Sequence, residues 1–330
     1  MEDINYDKPF LTFDEQIDHL ANTYNLIITD RNQAKLLLSS LSYYDLINGY
    51  KECFMVNEKY IDNIKIEDLY DFLELDRTLQ SILIKYSIYV ENRFKNLLAY
   101  EIAKNYGVSM DLYLNRTNYK PSSRLEYILN RLFKIPNSKH VLNPTRHYLK
   151  KNHIPPWILF KNATFNDTID LFANLKNKDA ITISDYLFSN FIDLDENYKK
   201  EFSINSLIIV RKFRNKIAHN LQFIKFRSKP NQLILKKISP LFYGSLIEKE
   251  DFEIKRGMSD PYAMILSIIS LLNEDFLVFK FILDLQRLFF IYKNDPKGNG
   301  DEMLKRYCDI TNIPYNLDER FERFIIKKVY

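Results

Sequence analysis

Apolar residues at Leu69, Phe72, Leu73, Leu79, Ile82, Leu83, Tyr86, Val90, Phe94, Leu97 and Leu98 recur at the spacing of one helix face. They predict a long helix from about Ile66 to Lys104, with Gly107 just beyond its end. Upstream, Thr12 with Glu15 and Asp30 with Gln33 have the spacing of capping boxes, each followed by apolar residues at helical intervals. Two short helices are expected there, the second running through Ala34, Leu37, Leu38 and Leu41 towards Gly49, which can end a helical turn. Prolines at 121, 136, 144, 155 and 156 predict short helices and irregular connections. Trp157 to Leu175, Asn205 to Asn220 and Tyr262 to Tyr292 are again apolar at helical intervals. Partial alternation in segments 222–227 and 232–238, separated by Ser-Lys-Pro-Asn, signals one short β-hairpin. The expected fold is therefore mainly α, with that hairpin near 222–238. Its organisation is an N-terminal helical segment over 1–65, a helical core over 66–240 and a C-terminal helical extension over 241–330.

With 330 residues, 46% of them hydrophobic, the chain can bury a substantial core. Its six glycines are scattered and form neither a dinucleotide fingerprint nor a P-loop, which disfavours nucleotide chemistry of those kinds. Cys53 and Cys308 are too few for a zinc knuckle or a disulfide framework, which fits a reducing cytoplasm. His140, His147 and His153 lack a carboxylate or cysteine at metal-ligand spacing and are read as surface or capping histidines, so no metal or other cofactor is expected. The most apolar run, Ala263 to Leu272, is followed at once by Asn273, Glu274 and Asp275, and the first residues lack a secretory pattern; no membrane span is read.

The net charge of +4 says little about partners, but its distribution says more. From Ser203 to Ser239 there is no Asp or Glu, while Arg211, Lys212, Arg214, Lys216, Lys225, Arg227, Lys229, Lys236 and Lys237 all fall there. Such a one-signed patch attracts phosphate backbones, and a solvated basic face explains it equally well. Arg211, Lys212, Lys216, Lys225 and Arg227 are the expected RNA contacts.

At about 100° per residue, Val210, Phe213, Ile217 and Leu221 line one stripe that must face the core. Relative to Val210, Arg214 falls about 40° round, Arg211 about 100°, Asn215 about 140° and His219 about 180°. His219 is thus set away from the core. Histidine moves protons near neutral pH and arginine grips phosphate in two prongs, so the set suits RNA cleavage. His219 would act as general base on a ribose 2′-hydroxyl or as general acid on the leaving 5′-oxygen. Arg214 would stabilise the phosphorane-like transition state, and Asn215 would orient the imidazole or a phosphate oxygen. Arg214 and His219 lie about 7.5 Å apart along the axis, which argues for a site completed by a second copy of the helix in a homodimer. An ordinary solvated helix face is the competing reading of the same residues.

The run Arg214-Asn-Lys-Ile-Ala-His219 resembles the Arg-x-x-x-x-His signature of the HEPN superfamily. Three other stretches resemble, in the same order, the Abi-like (AbiD/AbiF) branch of bacterial abortive-infection proteins. They are Lys8-Pro9-Phe10 leading to Ile17, Ser42-Tyr43-Tyr44 with Gly49-Tyr50, and Pro155-Pro156-Trp157 leading to Thr164-Phe165. The resemblance covers roughly residues 8 to 225. It implies a HEPN-like all-helical bundle whose Arg and His form a metal-independent RNase site, usually completed by dimerisation, in a toxin that halts growth of phage-infected cells. Some relatives are paired with a small non-coding RNA, which implies an antitoxin partner of that kind. Two departures stand out: Asn220 occupies a position where this branch often has a second His, and Phe165-Asn166 replaces a Phe-Gly. HEPN sites can recruit a polar residue from an earlier helix, which makes Glu91 and Arg93 candidates for support; an exposed helical charge pair is the plainer reading.

Three functions compete on the sequence alone. The first is a HEPN-type endoribonuclease in phage defence, the second a non-catalytic protein held in complex with a small non-coding RNA, and the third a protein-interaction scaffold.

Overall fold

A computed structural model of the chain describes residues 9–189, 196–219, 223–230, 232–296 and 298–329. Two compact units emerge: residues 1–80 with 288–310, and residues 81–287 with 311–330. The chain passes between them inside helices.

In the first unit, Thr12 and Glu15 close a reciprocal capping box at the start of α1 (Phe13–Tyr24), with the Glu15 amide donating to Thr12 Oγ1 at 3.3 Å and the Thr12 amide to Glu15 at 2.7 Å. Asp30 caps α2 (Arg31–Ser40) by accepting from the Asn32 and Gln33 amides. A π-helical turn over Tyr44–Asn48 is closed by the Gly49 amide on the Tyr44 carbonyl, and a short α3 (Lys51–Phe54) follows. Strands β1 (Met55–Val56) and β2 (Lys59–Tyr60) pair antiparallel, with Met55 opposite Tyr60. Asn57 and Glu58 between them both have positive φ, 50° and 61°, as a two-residue hairpin turn requires. The sequence reading did not foresee this hairpin.

Helix α4 (Ile66–Tyr106) is the predicted long helix. Leu69, Phe72, Leu73, Leu79, Leu83, Tyr86, Val90, Phe94 and Leu98 are buried, whereas Ile82 and Leu97 at the margins of the stripe are half-buried. Gly107, at φ 89°, ends it by donating to the Ala103 carbonyl.

The second unit continues through α5 (Met110–Tyr113), α6 (Leu125–Lys134) and α7 (Asn143–Tyr148), short as the prolines predict. The single helix expected over 157–175 is two, α8 (Pro156–Asn162) and α9 (Phe165–Ala173). Thr164 divides them: its backbone is extended and its hydroxyl accepts from the Asp167 amide, capping a new helix instead of continuing the old one. After α10 (Asn177–Leu187) comes α11 (Glu196–Ala218), which begins earlier than the periodicity predicts and packs against α14, α10 and α9.

The hairpin expected near 222–238 is not found among the described residues there; the described residues 223–230 and 232–234 are irregular and α12 (Leu235–Phe242) follows. Leu235, Ile238 and Phe242 are all buried, and their spacing is helical, so the apparent alternation through Leu233 and Leu235 was too short to specify a strand. Residue 222 and residue 231 of the expected turn lie outside the described residues. The chain continues through α13 (Lys249–Glu253), α14 (Pro261–Leu272), α15 (Asp275–Lys293), α16 (Gly300–Thr311) and α17 (Leu317–Val329). Every residue of α14 is buried, as suits a central helix of the bundle. Among the described residues no helix is long and apolar enough to cross a membrane.

Candidate active site

Helix α11 carries the Arg214-to-His219 run because its other side is committed to the core. Leu207, Ile209, Val210 and Phe213 are wholly buried, and Phe213 meets Phe223 and Phe226 of the returning chain edge-on at 5.7 and 4.9 Å. The predicted stripe is thus realised at Val210 and Phe213. Ile217 is only half-buried, because the last turn of α11 runs out beyond the packed core, and Leu221 lies outside the described residues.

Arg214 sits on the shoulder of that stripe and is 32% exposed. Its Nη2 meets Glu91 Oε2 of α4 at 3.0 Å, and the Glu91 side chain is itself only 13% exposed. The other Glu91 oxygen takes Lys95 Nζ at 2.6 Å, one helical turn on, and Lys95 also donates to the Ala163 carbonyl at 2.8 Å. A half-buried chain of cation, carboxylate and cation therefore ties α11 to α4 and to the end of α8. Its low exposure strengthens each interaction relative to a surface pair. Arg214 Nη1 lies 3.5 Å from Asn215 Oδ1, so the amide stands beside the guanidinium. His219 follows the end of the helix in an exposed turn, its backbone amide donating to the Asn215 carbonyl at 3.2 Å. Asn220 lies outside the described residues.

Arg214, Glu91 and Lys95 line a cavity of about 300 Å³ together with Trp157 and Lys161 of α8. Three cations face one carboxylate there, which leaves the pocket electropositive.

The other sequence-predicted residues are distributed differently. Arg93 is not beside Glu91: its guanidinium donates to the Tyr186, Leu187 and Leu271 carbonyls at 2.7, 3.2 and 2.8 Å, at the C-terminal ends of α10 and α14. Two residues along a helix is about 200° of rotation, so the pair cannot serve one site. Burial pulls the Arg93 guanidinium below its ordinary value, with the Glu274 carboxylate acting in the other direction. Arg211 is half-buried with its Nε unpartnered, and burial lowers its proton affinity against the attraction of Asp170. Burial also pulls Lys212 down, with Arg211 adding repulsion. Lys216 lies over the Phe226 ring at 5.0 Å, and Lys225 is exposed. Arg227 turns back on its own loop, donating to the Ile224 and Phe226 carbonyls at 3.2 and 3.0 Å. Its burial lowers its proton affinity.

Sequence reasoning did not single out Lys95 or Lys161. For Lys95 a signal existed, since Glu91 and Lys95 have the spacing of a helical ion pair. For Lys161 there was none, because only the packing of α8 brings it to the cavity.

A family model described as Abi-like protein matches residues 36–225, a span that contains α4, α8 and the whole of the Arg214-to-His219 run. No curated protein and no solved structure matches the chain.

Proposed function

The chain belongs to the Abi-like protein family, and from that premise we propose that it is a metal-independent, HEPN-type endoribonuclease toxin of abortive infection, acting in the cytoplasm. The observation that carries the proposal is the half-buried Arg214–Glu91 pair in the wall of an electropositive cavity, with Asn215 alongside and His219 one turn further. Glu91 holds the guanidinium at a fixed orientation, and an arginine held in place can meet charge as it develops on a phosphoryl group. His219 takes the proton of a ribose 2′-hydroxyl, the 2′-oxygen bonds to phosphorus, and the bond from phosphorus to the 5′-oxygen breaks. A second His219, from a partner copy, returns a proton to that leaving oxygen. The products are a 2′,3′-cyclic phosphate and a 5′-hydroxyl.

The test is cleavage of RNA by purified protein with and without EDTA, compared across His219→Ala and Arg214→Ala. We expect EDTA-resistant cutting that falls by roughly 100- to 10,000-fold in His219→Ala and is also lost in Arg214→Ala. Cutting at the unaltered rate by His219→Ala would overturn the reading. One observation favours a second reading, that of a non-catalytic protein in complex with a small non-coding RNA: Arg214 is already paired with Glu91. Tight RNA binding with no cutting by any version would select it.

A further inference from the structure

The cavity beside Arg214 has features that the proposed proton transfers do not use. Ile88, Asn92 and Asn96 follow one another at four-residue spacing along α4, so they form a row next to the Glu91 and Lys95 row. Across the cavity, Trp157 and Lys161 have the same spacing on α8, and Phe160 between them is buried. Trp157 is 44% exposed, so part of its indole is open to the cavity. Asn92, Asn96 and Lys161 are exposed, and among the described residues no hydrogen bond engages their side chains. The site thus offers an open aromatic face, two amides that can each donate and accept, and an unspent cation next to an ion-paired one. A volume of about 300 Å³ is at the small end of ligand pockets.

We propose that this cavity is a nucleotide subsite for single-stranded RNA, in which a base stacks on Trp157, its edge meets the amides of Asn92 and Asn96, and Lys161 takes the adjoining phosphate. The proposal rests on the RNA-cleaving reading and names the substrate class that this site accepts. Each part has a reason. An indole face stacks on any base, amide pairs match base edges, and the surplus of cations over the single Glu91 carboxylate fits a polyanion. Only an unpaired strand can present a base this way, since duplex RNA keeps its bases stacked inside. The strand would pass from the Trp157 side of the cavity to Arg214, placing a phosphate next to the cleavage chemistry.

Trp157 is the only tryptophan of the chain, so its emission reports on this cavity alone. The full chain is titrated with 2′-O-methyl hexanucleotides, which cannot be cut by 2′-hydroxyl attack, and with an abasic strand of equal phosphate number. Base-bearing strands should quench the emission and the abasic strand should not. By anisotropy of labelled strands, Trp157→Ala should weaken binding of base-bearing strands by roughly 5- to 150-fold and leave the abasic strand unchanged. Trp157→Phe should fall between the two. Equal quenching by both strands, or unchanged binding in Trp157→Ala, would overturn the subsite. Saturation by a 5′-mononucleotide at the same concentration as the hexamer would overturn the assignment to a strand in favour of a free nucleotide. The two proposals fail separately. Base-dependent quenching in a protein that never cuts RNA removes the catalytic reading alone, and cutting without quenching removes the subsite alone.

Discussion

Glu91 has two oxygens and two cations, one from its own helix and one from α11. Removing the carboxylate would leave Arg214 and Lys95 close together with nothing between them, and the guanidinium would lose its orientation. On the proposed mechanism, Glu91→Ala lowers kcat by about 10- to 100-fold with KM nearly unchanged, because a misplaced catalytic group costs rate more than binding. Glu91→Asp, which keeps the charge, should recover part of the loss in steady-state kinetics; an unaltered kcat in Glu91→Ala would show that the carboxylate does not position Arg214. The placement of Arg214, Asn215 and His219 relative to the core was legible in the sequence, because helical phase is a local property. The contact with Glu91 was not, since it depends on how α4 and α11 pack. Arg93 illustrates the same limit from the other side. Its nearness to Glu91 in sequence suggested a shared site, whereas it bonds carbonyls at the ends of α10 and α14.

Elements were legible where a cap or a long period declares itself. Thr12 with Glu15, Asp30 with Gln33 and the apolar row of α4 each specify a helix by local chemistry. The break between α8 and α9 was hidden because Ala163 and Thr164 contain neither glycine nor proline, although Thr164 with Asp167 was a usable cap signal. The 222–238 hairpin failed because a few alternating residues fit a helix as well as a strand. The C-terminal helix is held by a device that periodicity cannot reveal. Arg320 of α17, 2% exposed, donates to Glu248 at 2.8 Å, to the Leu246 carbonyl at 3.0 Å and to both oxygens of Asp251, which is wholly buried. Arg320→Ala would leave the buried Asp251 with Arg256 at 3.2 Å and the Glu248 amide at 2.9 Å but without the two Arg320 nitrogens that donate to it. A loss of about 3 kcal/mol, the low end for a broken buried pair, is expected. Chemical denaturation should show the midpoint falling by the corresponding amount. Arg320→Lys should restore little of it, because one ammonium cannot reproduce the fork. A midpoint unmoved by Arg320→Ala would refute this account.

At the scale of the whole molecule, each unit is assembled from separated stretches of chain. The first is joined through Asp76, which is 2% exposed and accepts from the Tyr50 hydroxyl at 2.8 Å, from Gln80 at 2.7 Å and from the Tyr307 hydroxyl at 2.7 Å. Burial pushes the Asp76 carboxyl up to about 6 from an ordinary 3.8, against the three hydrogen bonds that lower it. The folded state therefore holds its proton more tightly than the unfolded chain. That contribution to stability is fully present below about pH 4 and is lost as pH rises through about 6, on the order of 3 kcal/mol in all. Calorimetry across this range should show the effect, and Asp76→Asn should flatten it; an equal slope in the variant would exclude Asp76 as its source. The segmented assembly has a consequence for the order of synthesis. Tyr307 reaches Asp76 only after residues 288–310 have been made, and Arg320 reaches Asp251 only after those that follow. Each unit therefore closes only after its later segment, 288–310 for the first and 311–330 for the second, has been added. On the proposed reading, neither unit of this RNA-cleaving protein is whole until residues well past 287 have been made.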